Sequence, residues 1–206
     1  VNVLALKELG GNITFHGEPT TFVQPVYMVV RDSVDMLTNV TVDGHVDIIT
    51  DAWCEDQGTP GTLTLSTGSH LVSTNSLIEV TTRGVVLNGI INAGSDNIMF
   101  TTCNRNSMGI GGTGSGDGLV NFASEELRHI ICNDLKFETP RGVINVHSVS
   151  AGQLFDLDTT TVTGIVTLNA SSEAGRVEFN EDAVFKTLRV YAGNGTIVRG
   201  DIMTTV

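Results

Sequence analysis

Gly61-Thr-Leu-Thr-Leu65 is the run whose reading decides the fold. In an extended chain successive side chains point to opposite faces, so Leu63 and Leu65 share one face and Thr62 and Thr64 the other. Arg176-Val-Glu-Phe179 repeats the pattern, with Val177 and Phe179 on one side. Similar short runs extend in both directions, among them Gly11-Asn-Ile-Thr-Phe15, His45-Val-Asp-Ile-Ile-Thr50, Ser76-Leu-Ile-Glu-Val-Thr81, Gly84-Val-Val-Leu-Asn88, Gly142-Val-Ile-Asn-Val146 and Gly164-Ile-Val-Thr-Leu168. Gly, Asn or Asp separates them, as expected of short strands joined by tight turns. Gly44, Gly68, Gly89 or Gly94, Gly118, Gly142 and Gly164 recur, counted through Gly94, at intervals of 22–26 residues. A period in the low twenties fits one coil of a parallel β-helix, built from two or three short strands with a tight turn between each. The sequence therefore predicts an all-β chain, a right-handed parallel β-helix with coils of about 20–25 residues. Leu63, Leu65, Val86, Val143, Val166, Leu168, Val177 and Phe179 are the expected inward residues. A sandwich or up-and-down barrel also has short alternating strands, but usually longer ones with more aromatics and without a fixed spacing.

Composition agrees. At 206 residues the chain suits one domain, and it carries 23 glycines, 4 prolines, 5% aromatic and 17% charged residues. Few aromatics beside many β-branched residues point to a thin core repeated along an axis. The domain reading is a single unit over 1–206, with regular coils over 44–206 and a less regular 1–43 acting as a cap or inserted coil. Ser124-Glu-Glu-Leu-Arg-His-Ile-Ile131 breaks the pattern, and Ser124 is placed to cap one helical turn. A net charge of −12 with scattered Lys and Arg argues against nucleic acid, because phosphate binding needs clustered bases. No apolar run is long enough to span a membrane and no signal peptide is visible. Starting at Val1 without Met, the chain reads as a mature or excised segment.

The order Asp47-Ile-Ile-Thr-Asp-Ala52, Gly61-Thr-Leu-Thr-Leu65, Leu87-Asn-Gly-Ile-Ile-Asn-Ala-Gly94, Gly109-Ile-Gly-Gly112, Ser124-Glu-Glu-Leu127, Gly164-Ile-Val-Thr-Leu168 and Arg176-Val-Glu-Phe179 resembles the β-solenoid repeats of giant filamentous-haemagglutinin-like bacterial surface proteins and adhesins. The resemblance covers residues 44–206 and is one of sequential pattern rather than of a single diagnostic motif. It implies a β-solenoid, an extracellular or cell-surface location and no catalysis. The cysteines, Trp53 and the stretch before residue 40 depart from it.

Few residues spell out chemistry. Gly109, Gly111 and Gly114 satisfy GxGxxG, but Cys103-Asn-Arg-Asn-Ser-Met108 separates them from the preceding strand and the following helix is too short for a dinucleotide site. Gly111 to Asp117 resembles a single calcium-binding nonapeptide with its aspartate one residue late, and an external loop is the favoured reading. Asp51, Glu55 and Asp56 around Trp53 and Cys54 could bind calcium or present Trp53 to a sugar, although a solvated acidic loop is favoured. Polysaccharide-active enzymes need converging carboxylates. Asp43, Asp47, Asp156 and Asp158 are the candidates, with no basic residue near the last two in sequence. The histidines (His16, His45, His70, His129, His147) show no ligand spacing, and the expectation is no catalytic, cofactor or metal residue. Asn12, Asn39, Asn169 and Asn194 head N-x-Ser/Thr sequons.

Three cysteines lack zinc spacing. Cys132 lies in an apolar run and reads as a buried thiol, whereas Cys54 and Cys103 are the pair expected to form a disulfide in a secreted protein. Both chain ends look strand-like and apolar. Val1, Val3, Leu4 and Leu6 at one end and Ile197, Val198, Ile202 and Met203 at the other are expected to mate axially, with a further copy or in a longer solenoid. The function expected is thus a non-enzymatic extracellular structural module whose partner is itself, head to tail. The alternatives are a module binding cell-surface glycans, which would show exposed aromatics, and a polysaccharide lyase or hydrolase, which would show a carboxylate-lined groove.

Overall fold

The structure, a computed structural model, describes residues 4–8, 11–52, 54, 61–103, 106–113, 120–150, 152 and 161–205. β1 (Leu4–Glu8), β2 (Ile13–Phe15) and β3 (Thr20–Phe22) enter three different sheets, and β4 (Val26–Val30) then lands beside β1. The circuit recurs with β5 (Val34–Met36) and β6 (Val40–Val42), then β7 (Val46–Ile49), β8 (Thr62–Leu65) and β9 (His70–Ser73), then β10 (Ile78–Thr82), β11 (Gly84–Leu87) and β12 (Ile90–Asn92). A longer circuit follows: β13 (Ile98–Thr102), β14 (Met108–Gly111), β15 (Val120–Phe122), helix α1 (Ser124–Leu127) and β16 (Ile130–Ile131). β17 (Leu135–Glu138) and β18 (Val143–His147) precede β19 (Val166–Ala170), β20 (Arg176–Phe179) and β21 (Ala183–Phe185). β22 (Leu188–Ala192), β23 (Thr196–Val198) and β24 (Ile202–Thr204) come last.

The chain is all-β, and its sheets are parallel. One sheet runs the whole length in the order β1-β4-β7-β10-β13-β17-β19-β22. Its register matches Leu4 with Val26, then Val46, Ile78, Ile98, Leu135, Val166 and Leu188 in turn, so the circuits advance by 22, 20, 32, 20, 37, 31 and 22 residues. In the first long step, a Cβ on Gly61 would lie 2.4 Å from the Asp51 backbone nitrogen, so the chain at 61 is back where it was at 51. The turn glycines do not mark one corner of the circuit: Gly44 precedes β7, Gly68 lies ahead of β9 and Gly142 precedes β18. Residues 13–42, spelled less regularly, supply β2–β6 in the same sheets as the strands that follow.

Alternation sets the core. Leu63, Leu65, Val166, Leu168, Val177 and Phe179 are fully buried, and each packs beneath its register partner in the next circuit. Two expected inward residues are corrected. Val86 is 37% exposed while Val85 and Leu87 are buried, and Val143 is half-buried while Ile144 and Val146 are buried. Two adjacent β-branched residues leave the phase of a strand undecided, and pairing of Leu63 with Val85 decides it. Phe100, Phe122 and Phe137 form a cluster with centroids 4.7, 5.0 and 6.0 Å apart, where β15 adds an extra strand to its circuit. Aromatic pairs of this geometry add about 0.5–1.5 kcal/mol each beyond area burial.

Corners are held by side chains standing in for backbone carbonyls. Asn12 Oδ1 accepts the Ser33 N–H (3.1 Å), Ser33 Oγ the Thr62 N–H (3.2 Å), and Asn39 Oδ1 the His70 N–H (3.0 Å). Asn97 Oδ1 accepts from Asp134 N–H (3.0 Å), whose own carboxylate accepts from Ile165 N–H (2.7 Å). Asx and Ser side chains suit this because they are short and reach backbone groups of adjacent chain.

Burying an unpaired charge costs several kcal/mol, so Val166→Asp and Val85→Asp should unfold the protein. Thr167→Asp and Val86→Asp, one residue along and facing outward, should shift the melting temperature only slightly. Paired thermal melts check the register, and equal tolerance within either pair would overturn it.

Candidate functional site

The corner between the full-length sheet and the second strand of each circuit carries the densest buried polar chemistry. Thr50, Thr82, Thr102 and Thr139 are buried there. Thr50 donates to Thr82 Oγ1 (2.7 Å), and Thr82 reaches the Gly61 carbonyl (3.1 Å). Thr102 and Thr139 both donate to the Asn106 carbonyl, at 3.0 and 2.9 Å. A hydroxyl at this point satisfies backbone groups that the bend takes out of the ladder.

Next to the threonines, Arg83 Nη1 and Asp51 Oδ2 meet at 3.2 Å, with side chains 8% and 9% exposed. Asp51 is therefore no solvated loop carboxylate, which corrects the sequence reading. Its φ of 55° turns the chain out of the sheet, and Arg83 from the following circuit neutralises it. Such a pair is weak as net stabilisation, yet removing one partner strands the other charge, at a cost of about 3–5 kcal/mol. Cys54 and Cys103 are disulfide-bonded with Cα atoms 5.2 Å apart, and Cys103 Sγ lies 3.7 Å from the Asp51 carbonyl. Trp53, Glu55, Asp56, Asp156 and Asp158 lie outside the described residues. Burial pushes the Cys132 thiol up to about 12, so it stays protonated.

On the outer face of the full-length sheet, Asp47 and Glu79 are register partners, and His45 Nε2 lies 2.9 Å from Glu79 Oε2. Burial and then the Glu79 charge raise Asp47 above the usual carboxylate range, against a smaller opposing pull from His45. Farther along, Arg199 donates to Glu178 Oε2 (2.7 Å) and Arg176 pairs with the same carboxylate. The Arg199 hydrogen bond first, and Arg176 second, hold Glu178 below the usual range, so it stays ionised.

A step interrupts the second stack of strands. β2, β5, β8 and β11 form one sheet, β15, β14, β18, β20 and β23 another, and β11 is not hydrogen-bonded to β15. Side chains from the α1 segment cover the end of β11 instead. Glu126 Oε1 accepts the Leu87 N–H (2.9 Å), and the His129 Nδ1–H donates to the Leu87 carbonyl. Glu126 Oε2 accepts the Ala123 N–H (2.8 Å), so the cap position belongs to Ala123 and not to Ser124, the first helical residue. Gly109–Gly111, the start of the glycine run read from sequence as an external loop, belongs to the buried strand β14. A Cβ at Gly111, whose φ is 85°, would lie 1.8 Å from the His147 carbonyl, so only glycine fits. Gly114 and Asp117 lie outside the described residues.

Of the residues expected to mate axially, Val1 and Val3 lie outside the described residues, Leu4 pairs with Val26, and Leu6 is half-buried against the core. Val198 and Ile202 are 54% and 36% exposed in core columns, opposite Phe179 and Ala183. Ile197 and Met203 occupy the alternate positions, opposite Glu178 and Val184. Among the described residues no group of three or more His, Cys, Asp or Glu side chains is arranged to hold a metal, and no helix is long and apolar enough to cross a membrane. Tyr191 is the exposed aromatic among the large exposed hydrophobics. The fold and these sites define an all-β chain of stacked parallel strands whose buried polar groups serve its corners. The chain matches no protein-family model, no curated protein and no solved structure.

Asp47 holds its proton more tightly when folded than when unfolded. Its contribution is therefore favourable at low pH and is lost as pH rises through its raised folded value. Asp47→Asn should raise the melting temperature at neutral pH, with the gain vanishing below about pH 4. A pH series of melts reads this directly. Reducing the Cys54–Cys103 bond should lower unfolding stability by about 2–4 kcal/mol in denaturant titrations, and Cys132 should resist alkylation until the chain unfolds.

Proposed function

We propose that this chain is a right-handed parallel β-helix with a basic coil of about 20–25 residues, serving as an extracellular, non-enzymatic structural module of a filament or long surface fibre. The observation that carries the reading is axial. In the last circuit, Val198 and Ile202 stand in core columns yet expose 54% and 36% of their surface. Leu188, Val190 and Ala192 beside them are packed against the core on one side only. A further coil laid on this face, from another copy or the same chain, would bury all five.

Congruence of the outer circuits supports the same reading. β1, β2 and β3 have 5, 3 and 3 residues, and β22, β23 and β24 have 5, 3 and 3 in the same order. Strand for strand, the two outer circuits are therefore matched in length. Contacts of this head-to-tail kind propagate rather than close. The net charge of −12 disfavours lateral clumping while leaving axial stacking open. The disulfide is at home in an oxidising compartment, which favours an extracellular or surface location.

Sedimentation and negative-stain microscopy of the wild type should show linear polymers at high concentration. Val198→Lys with Ile202→Lys should raise the polymerisation threshold at least about tenfold without lowering the melting temperature. A wild type that stays monomeric throughout would overturn the stacking reading. Incubation with neutral and acidic polysaccharides should release no reducing ends or unsaturated products, and release abolished by Asp156→Asn or Asp158→Asn would establish an enzyme instead.

A further inference from the structure

Two Asn-Gly pairs occur in the chain, Asn88-Gly89 and Asn194-Gly195. Such a step carries its own chemistry. The side-chain carbonyl carbon lies one ring closure from the next backbone nitrogen, and glycine has no side chain to hinder the approach. Both asparagines are exposed, so it is the glycine nitrogens that set the two pairs apart.

Gly89 is buried, its N–H donates to the Leu65 carbonyl at 3.0 Å, and a Cβ there would strike the Ser66 and Ser69 carbonyl oxygens. That nitrogen is held in the ladder and walled in. Gly195 stands at the corner between β22 and β23, exposed, with a φ of 88° and open space where a Cβ would be. Among the described residues its N–H has no acceptor, and the Asn194 side chain has no hydrogen-bond partner. The asparagine is nonetheless fixed in place, since the Gly193 N–H donates to the Ala170 carbonyl at 2.9 Å and the Asn194 N–H to the Gly175 carbonyl at 2.7 Å.

We propose that Asn194-Gly195 is a site of spontaneous covalent modification, converting to isoaspartate in the folded protein while Asn88-Gly89 stays intact. The Gly195 nitrogen attacks Asn194 Cγ and forms a new C–N bond. The Cγ–Nδ2 bond breaks, and ammonia leaves with the proton that the Gly195 nitrogen gives up. Water then opens the resulting succinimide. Opening at Cγ gives aspartate, and opening at the main-chain carbonyl gives isoaspartate, whose main chain is one atom longer. That atom falls between the Asn194 N–H, bonded to Gly175, and the Gly195 carbonyl, which accepts the Val177 N–H at 3.4 Å. It shifts β23 against β20, where Thr196, Ile197 and Val198 pair with Val177, Glu178 and Phe179. The modification is a slow, irreversible loosening of this circuit, and it operates whether or not another coil stacks on it.

The test follows unglycosylated protein, since a glycan on the Asn194 sequon would occupy Nδ2, through prolonged incubation with peptide mapping by mass spectrometry. In the folded protein Asn194 should convert at least about tenfold faster than Asn88, whose corner must first open. Conversion should accelerate with rising pH, because the attacking nitrogen must lose its proton, and isoaspartate should be the main product. In denaturant the two pairs should convert at similar rates. Amide exchange at Thr196–Val198 should rise in aged wild type, but not in aged Asn194→Gln or in fresh Asn194→Asp, which has the charge without the longer main chain. Equal conversion of both pairs in the folded protein would overturn the proposal, as would an Asn194 that keeps its amide while the unfolded chain converts. Exchange left unchanged after full conversion, or raised equally in fresh Asn194→Asp, would overturn the loosening.

Discussion

Everything in this molecule depends on one constraint, that the backbone of each circuit must be matched by the backbone of the next. In a parallel ladder the N–H and C=O groups of inward residues point to the following circuit, as when Ile13 N–H donates to Ser33 O and Val26 N–H to His45 O at 2.9 Å. A strand satisfied on one side only is an open edge. The core follows the same rule, since Leu63 is covered by Val34 on one side and Val85 on the other. Backbone pairing and apolar burial thus share one direction, the axis, and local defects are felt in adjacent circuits.

Much of the polar chemistry is consumed in keeping that ladder whole where it bends. Asn12, Asn39, Asn97 and Asp134 replace carbonyls at corners, and buried threonine hydroxyls donate to backbone carbonyls from inside. The Asp51–Arg83 pair and the Cys54–Cys103 bond cluster beside the first of the longer circuits, tying the point where the chain departs to the next circuit and to the one beyond it. Two sequon residues, Asn12 and Asn39, are engaged in this corner bonding through their side-chain oxygens. Residue types that look like ligands in a list are, in place, parts of the frame.

The step between β11 and β15 is the exception. There backbone matching fails over one interval, and a carboxylate from α1 and an imidazole from the turn after it stand in for the missing strand. The cluster of Phe100, Phe122 and Phe137 fills the core at the level of the added strand. Such a site is stable without continuous strand pairing, and it leaves surface that the frame does not use.

From sequence alone, alternation in Gly61–Leu65 and Arg176–Phe179 determined strands with one apolar face, because period-2 burial is local and readable from adjacent residues. The all-β class with short strands, and six of the eight named inward residues, were legible in this way. Val86 and Val143 were not, because consecutive apolar residues leave two phases of equal local merit and the neighbouring circuit breaks the tie. Nor was Gly109–Gly111 legible as buried strand, since Gly111 signifies close approach to His147 thirty-six residues away. The burial of Asp51 against Arg83, the clamp of Glu126 and His129 on Leu87, and the step itself were likewise decided only in the tertiary structure. Each is an interaction between circuits, across separations of 32 to 42 residues, and local composition has no way to express a partner that far off.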